Sequence, residues 1–189
     1  MIGILLVVFS IILSACGKKE IKDAVNWPVQ DFTYTNQDGK TFGLGDLKGK
    51  VWVADFIFTS CADVCSPMTF NMRKLQEMVK DEGINNIEFV SFSVDPTVDT
   101  PEMLKKFGGN FKVDFSNWNF LTGYKQEEIE NLALKSFKAL VKKPNQGDQV
   151  IHGTDLYLVG PEGKVLKYYT GLNDIPYEDI INDMKTLQD

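Results

Sequence analysis

Two cysteines and one histidine are the side chains best suited to soft-metal or redox chemistry in this chain. Cys61 and Cys65, with three residues between them, stand in Phe56-Ile57-Phe58-Thr59-Ser60-Cys61-Ala62-Asp63-Val64-Cys65-Ser66-Pro67. The histidine, His152, lies far downstream, and the third cysteine, Cys16, sits in sequence of another kind. A thiolate is both a nucleophile and a soft ligand, and an imidazole is a borderline one. On a helix, positions four apart share a face, so Cys61 and Cys65 can converge on one point. They are also close enough for a disulfide, which tolerates Cα separations up to about 6.8 Å. Dithiolate and disulfide therefore both remain open. Adding His152 makes a set of two sulfurs and one nitrogen. That set suits Cu(I) and, with a solvent or carboxylate donor, Cu(II). A structural zinc site wants four closed ligands, and the one further Cys or His in the chain, Cys16, stands in sequence of another kind. A lone histidine is ordinarily a hydrogen-bonded loop residue, so its role here depends on its loop lying against the cysteine turn.

The flanking elements must bring these residues together. Val51 to Phe58 is an apolar run interrupted only by Asp55, as expected of a central strand covered on both faces. Ser66-Pro67 predicts a helix start, with Ser as cap and Pro in the first turn. Met68, Met72, Leu75 and Val79 then mark one helical face. That spacing makes the methionines core residues rather than ligands. Ile87 to Val94 predicts a second buried strand ending at Asp95-Pro96, and Thr100-Pro101-Glu102 opens another helix. Asp95 is either a turn cap before proline or a carboxylate near the site. Asn119 to Gly123 is strand-like, and Lys125 to Phe137 reads as a helix. Two hairpins are expected, around Asn36-Gln37-Asp38-Gly39 and around Gly160-Pro161-Glu162-Gly163. Tyr177 to Leu187 closes the chain as a helix.

Strands alternating with helices and then a final hairpin predict an α/β layered fold of thioredoxin-like type, in a peroxiredoxin-like variant. It carries an N-terminal β-hairpin and an insertion before the last hairpin. In such a fold the cysteine turn sits at the carboxyl edge of the sheet, where ligands bind. The positive end of the following helix is expected to lower a cysteine pKa there.

The 189 residues suit one domain, with 43% hydrophobic and 24% charged residues. A net charge of −6 and a single arginine, Arg73, leave no basic footprint for nucleic acid. Residues 2–13 are apolar, too short a run to span a bilayer and suited to the core of a signal peptide. Leu13-Ser14-Ala15-Cys16-Gly17 resembles the lipobox of bacterial lipoproteins. Residues 1–15 are then expected to be a cleaved signal and 16–26 a lipidated cysteine and polar tether, with residues 27–187 as the domain. Lipid on Cys16 would hold the domain on the extracytoplasmic face of the cell membrane, where disulfides persist.

Three segments carry a more specific resemblance. Phe58-Thr59-Ser60-Cys61-Ala62-Asp63-Val64-Cys65 resembles the C-x-x-x-C copper motif of the Sco (SenC) family. Ser91-Phe92-Ser93-Val94-Asp95-Pro96-Thr97-Val98-Asp99-Thr100-Pro101-Glu102 is similar to that family's second signature. His152 with Tyr157 to Lys164 is similar to its third. The segments stand in the family's order, although Ser66 intervenes here between the second cysteine and Pro67. The resemblance implies a non-enzymatic copper chaperone that loads the Cu-A site of cytochrome c oxidase. It also implies copper ligands Cys61, Cys65 and His152, and a thiol reductant as a further partner. The alternative is a thiol–disulfide oxidoreductase that keeps the oxidase cysteines reduced. Exchangers of that type use C-x-x-C and a proline just before the facing strand, whereas no proline immediately precedes Asp155. A peroxidase would need Thr and Arg beside the thiol. Thr59 is two residues from Cys61, and Arg73 lies two turns down the helix. A purely structural disulfide is the plainest alternative.

Overall fold

The computed structural model describes residues 21–188. Cys16 and the signal segment lie outside them. An eight-stranded sheet runs through the domain in the order β1-β10-β9-β4-β5-β6-β2-β3. Its centre is β4 (Val51–Ile57), β5 (Ile87–Ser93) and β6 (Trp118–Thr122), all parallel. All seven residues of β4 are buried, Asp55 included, as expected of a central strand covered on both faces. Trp52 and Phe56 meet Phe137 edge-on on one face. Val53, Asp55 and Ile57 point to the opposite face by strand alternation.

The flanking strands are antiparallel. β9 (Asp155–Val159) pairs with β4 and with β10 (Lys164–Thr170), and β1 (Trp27–Pro28) adds to β10. At the other edge β2 (Thr33–Asn36) joins β6 and turns into β3 (Thr41–Gly43). The Asn36 Oδ1 accepts the amides of Asp38 and Lys40, and Gly39 takes φ +71°, so that turn is built by the residues that predicted it. Both expected hairpins form. The N-terminal stretch Ile21 to Asn26, expected in the tether, lies against the domain: Ile21 is buried and the Val25 amide donates to Leu166 O.

Among the described residues four α-helices cover the sheet: α1 (Cys65–Asp81), α2 (Pro101–Asn110), α3 (Gln126–Leu132) and α4 (Tyr177–Thr186). Thr100 caps α2, accepting from the Met103 amide, with Pro101 in its first turn. Met68, Met72, Leu75 and Val79 are buried along α1, confirming them as core. The helix expected to run from Lys125 to Phe137 is instead α3 followed by a π-helical turn, Ala133–Phe137, that ends on Lys138 in the left-handed region. Past it lies an element the sequence did not announce. β7 (Val141–Lys142) and β8 (Ile151–His152) form a separate two-stranded ribbon. Among the described residues no helix is long and apolar enough to cross a membrane.

Candidate metal centre

The strand β4 ends at Ile57, and the chain turns with the Cys61 amide donating to Phe58 O. Helix α1 begins at Cys65, two residues earlier than a Ser66 cap would have set it. Val64 occupies the cap position without a side-chain hydrogen bond. Cys61 thus lies in the turn and Cys65 in the first helical position. The Cys65 amide, one of the unpaired donors of the helix start, points at Cys61 Sγ over 3.4 Å. Both cysteines are free thiols; Cys65 is buried and Cys61 partly so.

His152 enters from the ribbon. Val141 stands opposite it in the β7–β8 register. Its Nδ1 lies 2.8 Å from Gly153 O, a carbonyl that can only accept, so Nδ1 carries the proton. Nε2 then carries the ring's lone pair, and it is in hydrogen-bond contact with Cys65 Sγ at 3.4 Å. The Phe58 ring holds the imidazole edge-on at 5.7 Å. The ligand atoms of Cys61, Cys65 and His152 all lie within 4.8 Å of one another. Two sulfurs and one unprotonated imidazole nitrogen, open on the Cys61 side, can accept a thiophilic metal ion.

Burial governs protonation here. It lowers the His152 pKa, against the opposing pull of the Gly153 hydrogen bond, and so favours the neutral ring that a metal needs. It also pushes the Cys65 thiol far above the usual thiol range, aided by the Cys61 sulfur. This runs against the expectation that the helix terminus would lower a cysteine pKa: at Cys65, loss of solvent outweighs the opposing backbone hydrogen bond from Phe58. Cys65 is therefore a thiol until a metal or an oxidant takes its proton.

Two clamps hold the site, and sequence reasoning singled out only one member of them. Asp99 accepts from the Thr59 amide at 3.2 Å, from the Thr59 hydroxyl at 2.6 Å and from the Ser93 hydroxyl at 2.6 Å. It pins the strand end just before Cys61. Burial raises its pKa, and the three donors work against that rise. Asp95 binds the Lys143 ammonium at 2.6 Å and the Thr97 hydroxyl at 2.9 Å. Its carboxylate is thus committed to tying the β7–β8 connection onto the β5–α2 loop. Gln149 adds a third tie, donating to Ser60 O and accepting from the Ala62 amide. The acid-rich spacing Asp95–Asp99 beside Thr59 was a readable signal; Lys143 and Gln149 had none.

The match to known proteins agrees with this geometry. The SCO1/SenC family model covers residues 23–189. A crystal structure of a SCO1/SenC family lipoprotein from Bacillus anthracis is 56% identical, covers 89% of this chain and 99% of its own, and superposes with a TM-score of 0.87. BsSco, described with a disulfide switch as a member of the Sco family of cytochrome c oxidase assembly proteins, is also 56% identical. It covers 89% of this chain and 97% of its own, with a TM-score of 0.82. Bradyrhizobium japonicum ScoI with copper bound is 26% identical over 85% of this chain and 99% of its own, with a TM-score of 0.68. The chain has the thioredoxin-like Sco fold and belongs to the SCO1/SenC family.

Proposed function

We propose that this protein is a copper-binding metallochaperone of the extracytoplasmic membrane surface, with Cys61, Cys65 and His152 as its ligands. The observation that carries the reading is the convergence of two thiols and a proton-free Nε2 within 4.8 Å. A disulfide exchanger needs the two sulfurs but not the imidazole. The copper-bound Bradyrhizobium relative supports the metal. The oxidase-assembly role of BsSco supports the Cu-A subunit of cytochrome c oxidase as recipient. Reduced Cys61 and Cys65 load copper as thiolates, releasing their protons. Their disulfide is the form that cannot load, and a thiol reductant restores the pair. Cys16 carries the lipid and residues 1–15 are removed, which leaves residues 27–187 as the working domain. The Bacillus anthracis lipoprotein supports that arrangement.

Thiol–disulfide reduction of the oxidase cysteines is the second reading, favoured by the paired free thiols and by the disulfide switch of BsSco. One experiment separates the two. The reduced protein is titrated with Cu(I) against a competing chelator, beside His152→Ala, and both are assayed for reduction of a protein disulfide. The chaperone reading expects one tightly bound copper in the wild type and a large loss in the variant. Equal weak binding in both, with efficient disulfide reduction, would overturn it.

A further inference from the structure

The ribbon that delivers His152 has a second face, which nothing in the copper site uses. In the β7–β8 register Val141 opposes His152, and Lys142 opposes Ile151. Opposed residues point the same way. Val141 is buried and His152 reaches Cys65, so that pair faces inward. Lys142 and Ile151 therefore face outward, joined by Leu140 through strand alternation. Leu140 is 64% exposed and Ile151 56%. The π-helical turn leading into the ribbon adds Leu134, 57% exposed, with Lys135 and Lys138 also exposed. Three of the seven large exposed apolar side chains among the described residues thus fall within residues 134–151, the segment that leads into His152. Scattered apolar residues need no explanation, but a cluster rimmed by like charge marks an interaction site.

The charge of this face is opposite to that of the chain. Ala133 to Lys143 carries four lysines and no acid, in a protein of net charge −6. Lys142 and Lys143 are paired with Glu130 and Asp95. Among the described residues no carboxylate pairs with Lys135 or Lys138, and the Lys138 ammonium caps only the Lys135 carbonyl. The ribbon is a two-stranded sheet by itself, so among the described residues its outer edges have no strand partner. An unpaired edge offers backbone donors and acceptors to another polypeptide, which a lipid surface cannot match.

We propose that Leu134, Lys135, Lys138, Leu140, Lys142 and Ile151 form the docking surface for the protein that exchanges copper with this site, and that the complementary surface is acidic around an apolar centre. The identity of the cargo rests on the function proposed above; the surface does not. A partner seated there lies against the outer side of the strand whose inner side presents His152. Docking and ligand exchange are then coupled through one two-residue strand, and Gln149 relays the same contact to the cysteine turn.

The test uses the full chain in phosphatidylcholine nanodiscs, with the apo Cu-A domain of the oxidase as probe. Lys135→Glu with Lys138→Glu, and separately Leu140→Ser with Ile151→Ser, are compared with Lys48→Glu with Lys106→Glu as a charge control. Copper affinity, the rate of copper transfer, and hydrogen exchange across residues 133–152 are measured. The expected result is unchanged copper affinity in all variants and transfer slowed roughly tenfold or more in the two face variants only. Protection of 133–152 by the probe is expected in the wild type. Transfer at the wild-type rate in the face variants, or no transfer from copper-loaded wild type, overturns the proposal. So does protection produced by phosphatidylglycerol nanodiscs without the probe, which would make the face a lipid contact. If the wild type binds no copper, the chaperone reading fails. The surface is then judged by exchange alone: protection by the probe supports it, and none overturns it.

Discussion

Replacing Asp55 with asparagine is expected to flatten the pH dependence of stability. Asp55 is fully buried in the middle of β4, and among the described residues neither carboxylate oxygen has a well-formed hydrogen bond. Burial pushes its pKa from 3.8 up to about 7, with the Ser91 hydroxyl across the β4–β5 pair close enough to offset a little of that. The folded state therefore favours the protonated acid. Stability is fully present below the unfolded pKa near 4 and is lost as pH rises toward 7. Three units at 1.36 kcal/mol each amount to about 4 kcal/mol, of which about 3 kcal/mol falls between pH 5 and pH 8. Asparagine keeps the shape and never ionises. Its amide adds an unpartnered donor costing about 1–3 kcal/mol, but equally at both pH values. The assay is urea unfolding of the reduced protein at pH 5 and pH 8, followed by tryptophan fluorescence. The wild type is expected to lose about 3 kcal/mol more than Asp55→Asn between the two. Parallel pH profiles would refute the reasoning, because they would mean that the carboxylate ionises in the fold at little cost.

Two further expectations follow from the packing. Asp99→Ala removes the acceptor of the Thr59 amide, the Thr59 hydroxyl and the Ser93 hydroxyl, so it should cost about 1–3 kcal/mol in urea unfolding and weaken copper binding by loosening the Cys61 turn. Met72→Ala should cost about 2–5 kcal/mol while leaving copper stoichiometry at one, since Met72 is core rather than ligand; a lost equivalent of copper would reverse that assignment.

Elements that carry a strong local signal were legible in the residues. Val51 to Ile57 is apolar at every position but Asp55, Thr100-Pro101 combines a cap with a first-turn proline, and Asn36 to Gly39 holds the residues its turn requires. The cysteine pair and His152 could be read as one site because a soft donor set is rare enough to notice. What lay beyond reach depended on tertiary contact. Two-residue strands such as Val141–Lys142 and Ile151–His152 have no periodicity to detect, and the ribbon forms because Val141 and His152 face inward together. The helix starts at Cys65 with Val64, rather than Ser66, at the cap position. The Cys65 thiol was misjudged for a similar reason. A helix terminus can be read from sequence, whereas complete burial of one sulfur is a property of the packed core.

The central claim is a ligand set of two sulfurs and one nitrogen. X-ray absorption at the copper edge, on reduced wild-type protein loaded with one equivalent of Cu(I) and on His152→Ala, tests it most directly. The account predicts two sulfur neighbours and one imidazole nitrogen in the wild type, with the imidazole scattering lost in the variant and both sulfurs retained. An imidazole-free spectrum in the wild type, or identical spectra for the two proteins, would contradict it.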